Sequence, residues 1–193
     1  PVAMARVRML SKVEIARFLA WLNSPAIPHE HQVGRVLRHN LRDIARLMAL
    51  TAARREEIIQ IRPEHINAEW SLLTLHSSKV RRTHPIHITE TCREILAPRL
   101  AATPTGKSIF GEVPTRSYTK YLKTIVGGAE ELGYGRANGG WTLHDLRRTA
   151  ATVIEDSGLP YSAVMAQLGH KRKDMTARYT VPQRATMRRV AEV

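Results

Sequence analysis

Two pairs of residues in this chain have the types and spacing for work on a phosphate ester. Arg54 and Glu57 stand three residues apart, and so do His144 and Arg147. On a helix, that spacing puts both members on one face. A carboxylate so placed can fix a guanidinium, and a fixed guanidinium fork grips two phosphate oxygens at once. The second pair opens a predicted helix, with Thr142 as its N-cap and Asp145 three residues on. The first turn of a helix carries unpaired N–H groups and the positive end of the macrodipole. Phosphate is favoured there before any side chain is counted. The H-x-x-R spacing alone carries little, since this composition yields roughly one by chance. A second copy, His39 to Arg42, falls mid-helix and reads as a solvated face.

Two further groups lie downstream. Gln167-Leu168-Gly169-His170 places a glycine where a helix can end and a histidine at its edge. Tyr179 follows nine residues after His170. Each residue alone has an ordinary explanation as a surface ion pair, a cap or a packing group. Their combination is what carries information.

Composition narrows the classes. The 193 residues hold 30 Lys+Arg against 17 Asp+Glu, a net charge of +13, and 23 of the basic residues are Arg. An Arg-rich excess of this size points to a polyanion, and nucleic acid is the natural partner. The single Cys92 excludes a disulfide framework and suits a reducing compartment. No stretch of about 18 apolar residues exists to form a membrane-spanning helix. The N-terminus, beginning at Pro1, has no apolar core of a secretory signal and reads as the start of a fragment. His29-Glu30-His31 lacks a third ligand, so no metal site is expected. No G-x-x-x-x-G-K-[ST] loop is present to hold a nucleotide cofactor.

The elements that must position these residues are mainly helical. Ser11 to Glu14 reads as a capping box, followed by Ile15, Phe18, Leu19 and Leu22 on one face. Residues 28–34 read as loop, 35–50 as a second helix, and 55–61 as a short third stopped before Pro63. Residues 70–76 and 85–89 read as an antiparallel hairpin with a charged turn between them. Helices are predicted at 89–100, 115–132, 142–156 and 161–168, with a short one near Tyr179 and a last one at 183–191. Gly127-Gly128 weakens the helix that contains it, and residues 133–140 are the clearest loop. The fold class is mainly α with a small antiparallel sheet, in one domain over 1–193.

In chain order, Thr51-x-x-Arg54-x-x-Glu57, His144-x-x-Arg147, Leu168-Gly169-His170 and Tyr179 resemble the tyrosine recombinases, the phage integrase family. His144-Asp145-Leu146-Arg147-Arg148-Thr149-Ala150-Ala151-Thr152 looks like that family's second conserved box. Two departures stand out: Ala52 occupies a position usually held by Gly, and the residues after Lys79 do not follow the common Lys-x-Gly-Lys pattern.

The resemblance implies the catalytic-core fold of those enzymes and site-specific recombination of double-stranded DNA without metal or cofactor. Tyr179 would be the nucleophile, Arg54 and Arg147 the phosphate clamp, His170 a further donor, His144 a proton-transfer group and Lys79 the general acid, with Glu57 orienting Arg54. Arg81, Arg82, Arg148, Lys171, Arg172 and Lys173 would track the DNA backbone. The resemblance also implies a homotetramer in the DNA synapse, with a monomer as the alternative for an isolated domain. It implies a missing N-terminal DNA-binding domain and a cytoplasmic, nucleoid-associated protein of bacterial or phage origin. A type IB topoisomerase would share the chemistry without strand exchange. An Arg-rich DNA-binding regulator would bind without cleaving.

Overall fold

The computed structural model describes residues 8–24, 31–77, 82–135, 140–158 and 160–169. Helix α1 (Lys12–Leu22) starts at the expected capping box: the Ser11 hydroxyl accepts from Glu14 N–H, and the Glu14 carboxylate accepts from Ser11 N–H at 2.9 Å. Phe18 and Leu22 are fully buried on its inner face. Helix α2 (Gln32–Thr51) is the central rod and packs against α1, α6 and α5. It begins three residues before the expected start, so Gly34 lies inside a helix rather than in a loop. Exposed Val33 belongs to this extra stretch.

The His39–Arg42 stretch is only partly a solvated face. His39 is exposed, but Asn40 and Leu41 are buried and Arg42 bonds Asp43 at 2.8 Å. Its polarity serves an internal network, not solvent.

Helix α3 (Arg55–Ile59) is followed by a 3-10 turn at Pro63–His65. Strands β1 (Leu72–Ser77) and β2 (Arg82–His87) pair antiparallel, with Leu72 opposite His87 and Ser77 opposite Arg82. Both strands are displaced from the sequence expectation: β1 starts two residues later and β2 three residues earlier. At one end, Trp70 takes φ 53 in a turn closed by the Asn67 side chain, which accepts from Ser71 and Leu72 N–H. At the other, Thr89 leaves the strand to cap α4 (Glu90–Ala101), accepting from Cys92 N–H at 3.2 Å. Leu73, Leu75 and Ile86 face the core.

The expected helix at 115–132 is broken. Helix α5 (Thr115–Tyr121) passes into a π-helical turn at Leu122–Val126, and a 3-10 turn follows at Glu130–Leu132. Gly127 and Gly128 make the break possible. A Cβ on Gly127 would meet the Lys123 carbonyl oxygen at 2.5 Å, and one on Gly128 the Thr124 oxygen at 2.9 Å. Helices α6 (Leu143–Asp156) and α7 (Tyr161–Gln167) complete the described chain. The helices expected near Tyr179 and at 183–191 lie outside the described residues. Among the described residues no helix is long and apolar enough to cross a membrane.

Trp141 fixes where α6 begins. It is 1% exposed, stands edge-on to Phe18 and Tyr134, and donates from Nε1 to the Leu132 carbonyl at 2.7 Å. A buried aromatic with its one polar atom paired is a strong anchor. The Asp145 carboxylate accepts from Thr142 N–H at 2.8 Å and from its hydroxyl at 3.0 Å, closing the first turn.

Candidate active site

The end of α2, the start of α3, the first turns of α6 and the end of α7 meet at one place. Thr51 ends α2 with its hydroxyl donating to Leu47 O at 2.6 Å and accepting from Ala53 N–H at 3.2 Å. Ala52 then takes the left-handed conformation, φ 53 and ψ 22, while fully buried. This is the position where the resemblance leads one to expect Gly, and the dihedral gives the reason. A non-glycine residue there is strained by about 1–2 kcal/mol, and burial of the methyl offsets about 0.8 kcal/mol of that.

The turn at Ala52 points two groups inward. Arg54 follows it as the residue capping α3, and Glu57 accepts from both its side chain at 2.7 Å and its backbone N–H at 2.8 Å. Glu57 is 2% exposed, while the Arg54 side chain keeps an outward edge. The expected orienting pair is therefore formed. The second group is the Ala52 carbonyl, which accepts from Arg147 Nη1.

Arg147, on the second turn of α6, is 5% exposed. Its Nη2 donates to the Leu168 carbonyl at 3.1 Å. Burial, with the nearby Arg54 guanidinium adding to it and Glu57 opposing, brings its pKa down to about 10. The group is still charged at neutral pH. Two guanidinium groups thus face one carboxylate, in a setting with little water to screen them. A bound anion would relieve both desolvation and repulsion.

His144 lies one turn before Arg147 on the exposed first turn of α6. It sits close enough to Glu56 to act on it. Burial pushes the Glu56 carboxyl up, but its own backbone N–H, Arg55 and His144 outweigh that and hold it below the usual range. Arg148 bonds Asp145 at 3.1 Å, with a third of its side chain exposed. Gln167, 1% exposed, donates to Thr51 O at 3.3 Å and ties α7 to the end of α2. Gly169, at φ 64, ends the α7 turn and donates to Ala166 O.

Lys79, Arg81, His170, Lys171, Arg172, Lys173 and Tyr179 lie outside the described residues, as do His29 and Glu30. Arg82 is placed as the first residue of β2. Sequence reasoning did not find the Ala52 and Leu168 carbonyls. Backbone acceptors leave no mark on residue type, though an alanine at a glycine-favoured position is an indirect sign of the first.

The architecture is that of the tyrosine-recombinase catalytic domains. The integrase from mycobacterium phage Brujita matches at 19% identity and TM-score 0.62, over 100% of this chain and 58% of its own. A lambda integrase tetramer bound to a Holliday junction matches at 18% and 0.60, over 94% and 50%. The catalytic domain of bacteriophage HP1 integrase matches at 19% and 0.56, over 90% and 87%. The phage integrase family's sequence profile matches residues 10–185, and the chain belongs to that family. It spans only about half the length of the longer integrases it matches. No curated protein matches it in sequence.

Proposed function

We propose that the chain is the strand-cleaving domain of a site-specific DNA recombinase, acting through a 3′-phosphotyrosyl intermediate. The observation that carries this is the meeting of two guanidinium groups, Arg54 on Glu57 and Arg147 on the Ala52 and Leu168 carbonyls, beside the first turns of α6. Family membership over residues 10–185 supports it.

In this reading, the pair grips the non-bridging oxygens of the scissile phosphate and meets the charge that grows in the pentacoordinate transition state. The Tyr179 oxygen attacks phosphorus and the bond to the 5′-oxygen breaks. The tyrosine proton passes toward His144, and Lys79 protonates the leaving oxygen. His170 adds a donor to the phosphoryl group. The two guanidinium charges take the part that metal ions play in other phosphoryl-transfer sites, so cleavage needs no divalent cation. The phosphotyrosine keeps the bond energy of the phosphodiester, and rejoining needs no nucleotide.

The partner is double-stranded DNA, with Arg81, Arg82, Arg148, Lys171, Arg172 and Lys173 on its backbone. Arg148 reaches it by keeping or exchanging its bond to Asp145. Exchange of strands takes place in a homotetramer, the state in which the lambda integrase was seen on a Holliday junction. An N-terminal DNA-binding domain completes the enzyme, which works in the cytoplasm on nucleoid DNA. The test is supercoiled plasmid with EDTA present. Wild type should relax it and leave an SDS-resistant protein–DNA adduct, and Tyr179→Phe should do neither. Equal binding with no adduct from either protein would favour a DNA-binding regulator.

A further inference from the structure

His84 has no part in the chemistry above, yet its place is unusual. It sits mid-way along β2, opposite Leu75, and is half-buried. Helix α7 packs against this strand. Just past α7, Gly169 turns its bare Cα onto the His84 ring. A Cβ there would lie 2.6 Å from Cε1, 2.7 Å from Nδ1 and 2.9 Å from Nε2. Contacts that short do not occur for real Cβ atoms, so any other residue after Leu168 would require this ring to shift. The φ of 64 at Gly169 makes the same demand on backbone grounds.

The residue before Gly169 is Leu168, whose carbonyl holds Arg147 Nη2. A continuous set of contacts therefore runs from the hairpin through the His84 ring to Gly169, to the Leu168 carbonyl and on to the Arg147 guanidinium. Arg147 is held by two carbonyls delivered by different elements. The Ala52 carbonyl is set by the end of α2, and the Leu168 carbonyl by the end of α7. Only the second leans on the hairpin.

We propose that His84 is a positioning residue: its imidazole braces Gly169 and so holds the Leu168 carbonyl where it orients Arg147. The inference rests on the reading of Arg147 as a phosphate clamp. A flat, rigid ring suits the task, because it fills the narrow gap between strand and turn in one orientation. A small displacement of a clamping group is enough to cost a large factor in rate.

The test uses the full chain with supercoiled plasmid in EDTA. His84→Ala, His84→Asn, Gly169→Ala and the His84→Ala/Gly169→Ala double variant are compared with wild type. Three quantities are read: plasmid affinity, rate of adduct formation at saturating protein, and melting temperature. His84→Ala should slow adduct formation by about tenfold or more, with affinity and melting temperature close to wild type. His84→Asn, which keeps a flat amide in the seat, should recover part of the rate. Gly169→Ala should lower the melting temperature more in the presence of His84 than in its absence, because the ring is what its methyl strikes.

An unchanged rate in His84→Ala overturns the proposal. So does a rate that falls only in step with melting temperature and affinity, and so does an equal penalty for Gly169→Ala in both backgrounds. If wild type forms no adduct, or Tyr179→Phe forms as much, the strand-cleaving reading itself fails. The melting comparison needs no DNA and still supports or overturns the brace.

Discussion

Two clusters in this protein have the same parts list. Each sets two arginines against one buried carboxylate: Arg42 and Arg99 with Asp43, and Arg54 and Arg147 with Glu57. In the first, both guanidinium groups bond the carboxylate directly, at 2.8 Å and 2.7 Å. Arg99 also donates to Asn40 and the Ile109 carbonyl, and its Cζ lies over the Phe110 ring, 4.5 Å from the ring centre. Burial pushes the Asp43 carboxyl up, and the bonds from Arg42 and Arg99 bring it below its ordinary value. Charge and hydrogen bonding are closed within the protein. In the second, Arg54 bonds the carboxylate at 2.7 Å, and Arg147 donates to the neutral Ala52 and Leu168 carbonyls. Its lowered pKa records the difference. In the proposed function, the closed cluster holds the fold together and the second, more open one takes the anion.

That contrast can be broken from either side. Asp43→Asn should cost about 1–3 kcal/mol of stability, because the partly buried Arg42 and Arg99 lose the carboxylate they bond. Chemical denaturation would measure it, and adduct formation by the folded fraction should remain. Arg147→Gln should do the reverse, with a melting temperature at or above wild type and an adduct rate lower by about 10²–10³-fold. A rise in stability is expected because the substitution removes a charge that is costly to bury.

Sulfate sharpens the comparison. It should stabilise wild type by mass action, by about 1.4–2 kcal/mol at some ten to thirty times its dissociation constant, and so raise its melting temperature. The rise should vanish in Arg147→Gln and persist in Asp43→Asn. Thermal melts at constant ionic strength would show it.

The smallest effect concerns a third meeting of like groups, His65 and His76, whose ring centres lie 4.1 Å apart. Burial, then His76 and Arg62, lower the His65 pKa from its ordinary value near 6.5, with Glu64 opposing. Below that ordinary value the unfolded chain takes up the proton more readily than the folded one. Stability is therefore lost as the pH falls from about 6.5 through the folded pKa. The loss is small, because solvent screens a half-buried ring, and His65→Gln should remove it. Melting curves between neutral and mildly acid pH would check this.

The open cluster was more legible in the sequence than the closed one. Arg54 with Glu57, and His144 with Arg147, announce themselves by spacing that a helix converts into proximity. Thr142 with Asp145 does the same at a cap. Asp43 and Arg99 are 56 residues apart and belong to different helices, so no local pattern joins them. The His39–Arg42 match pointed to the wrong environment for the same reason, since Asn40 bonds Tyr118 and the Phe110 carbonyl far along the chain.

Element types read well where caps or periodicity mark them, as at Ser11 and Thr142. They fail where tertiary contacts decide. The π-helical turn at Leu122–Val126 and the shifted strands depend on close backbone approach and on side chains such as Asn67. The brace at His84 was invisible because a histidine in a strand carries no sign of the glycine it rests on.

The most direct test of the account is to find which residue carries the DNA and through which end. Wild-type protein would be trapped on supercoiled plasmid in EDTA, trimmed with nuclease and protease, and the nucleotide-bearing peptide sequenced by mass spectrometry. The account predicts a 3′-linked nucleotide on Tyr179 and a free 5′-hydroxyl at the nick, ready for labelling by a kinase without prior phosphatase. A 5′-linked nucleotide, or a link to any other residue, would contradict it.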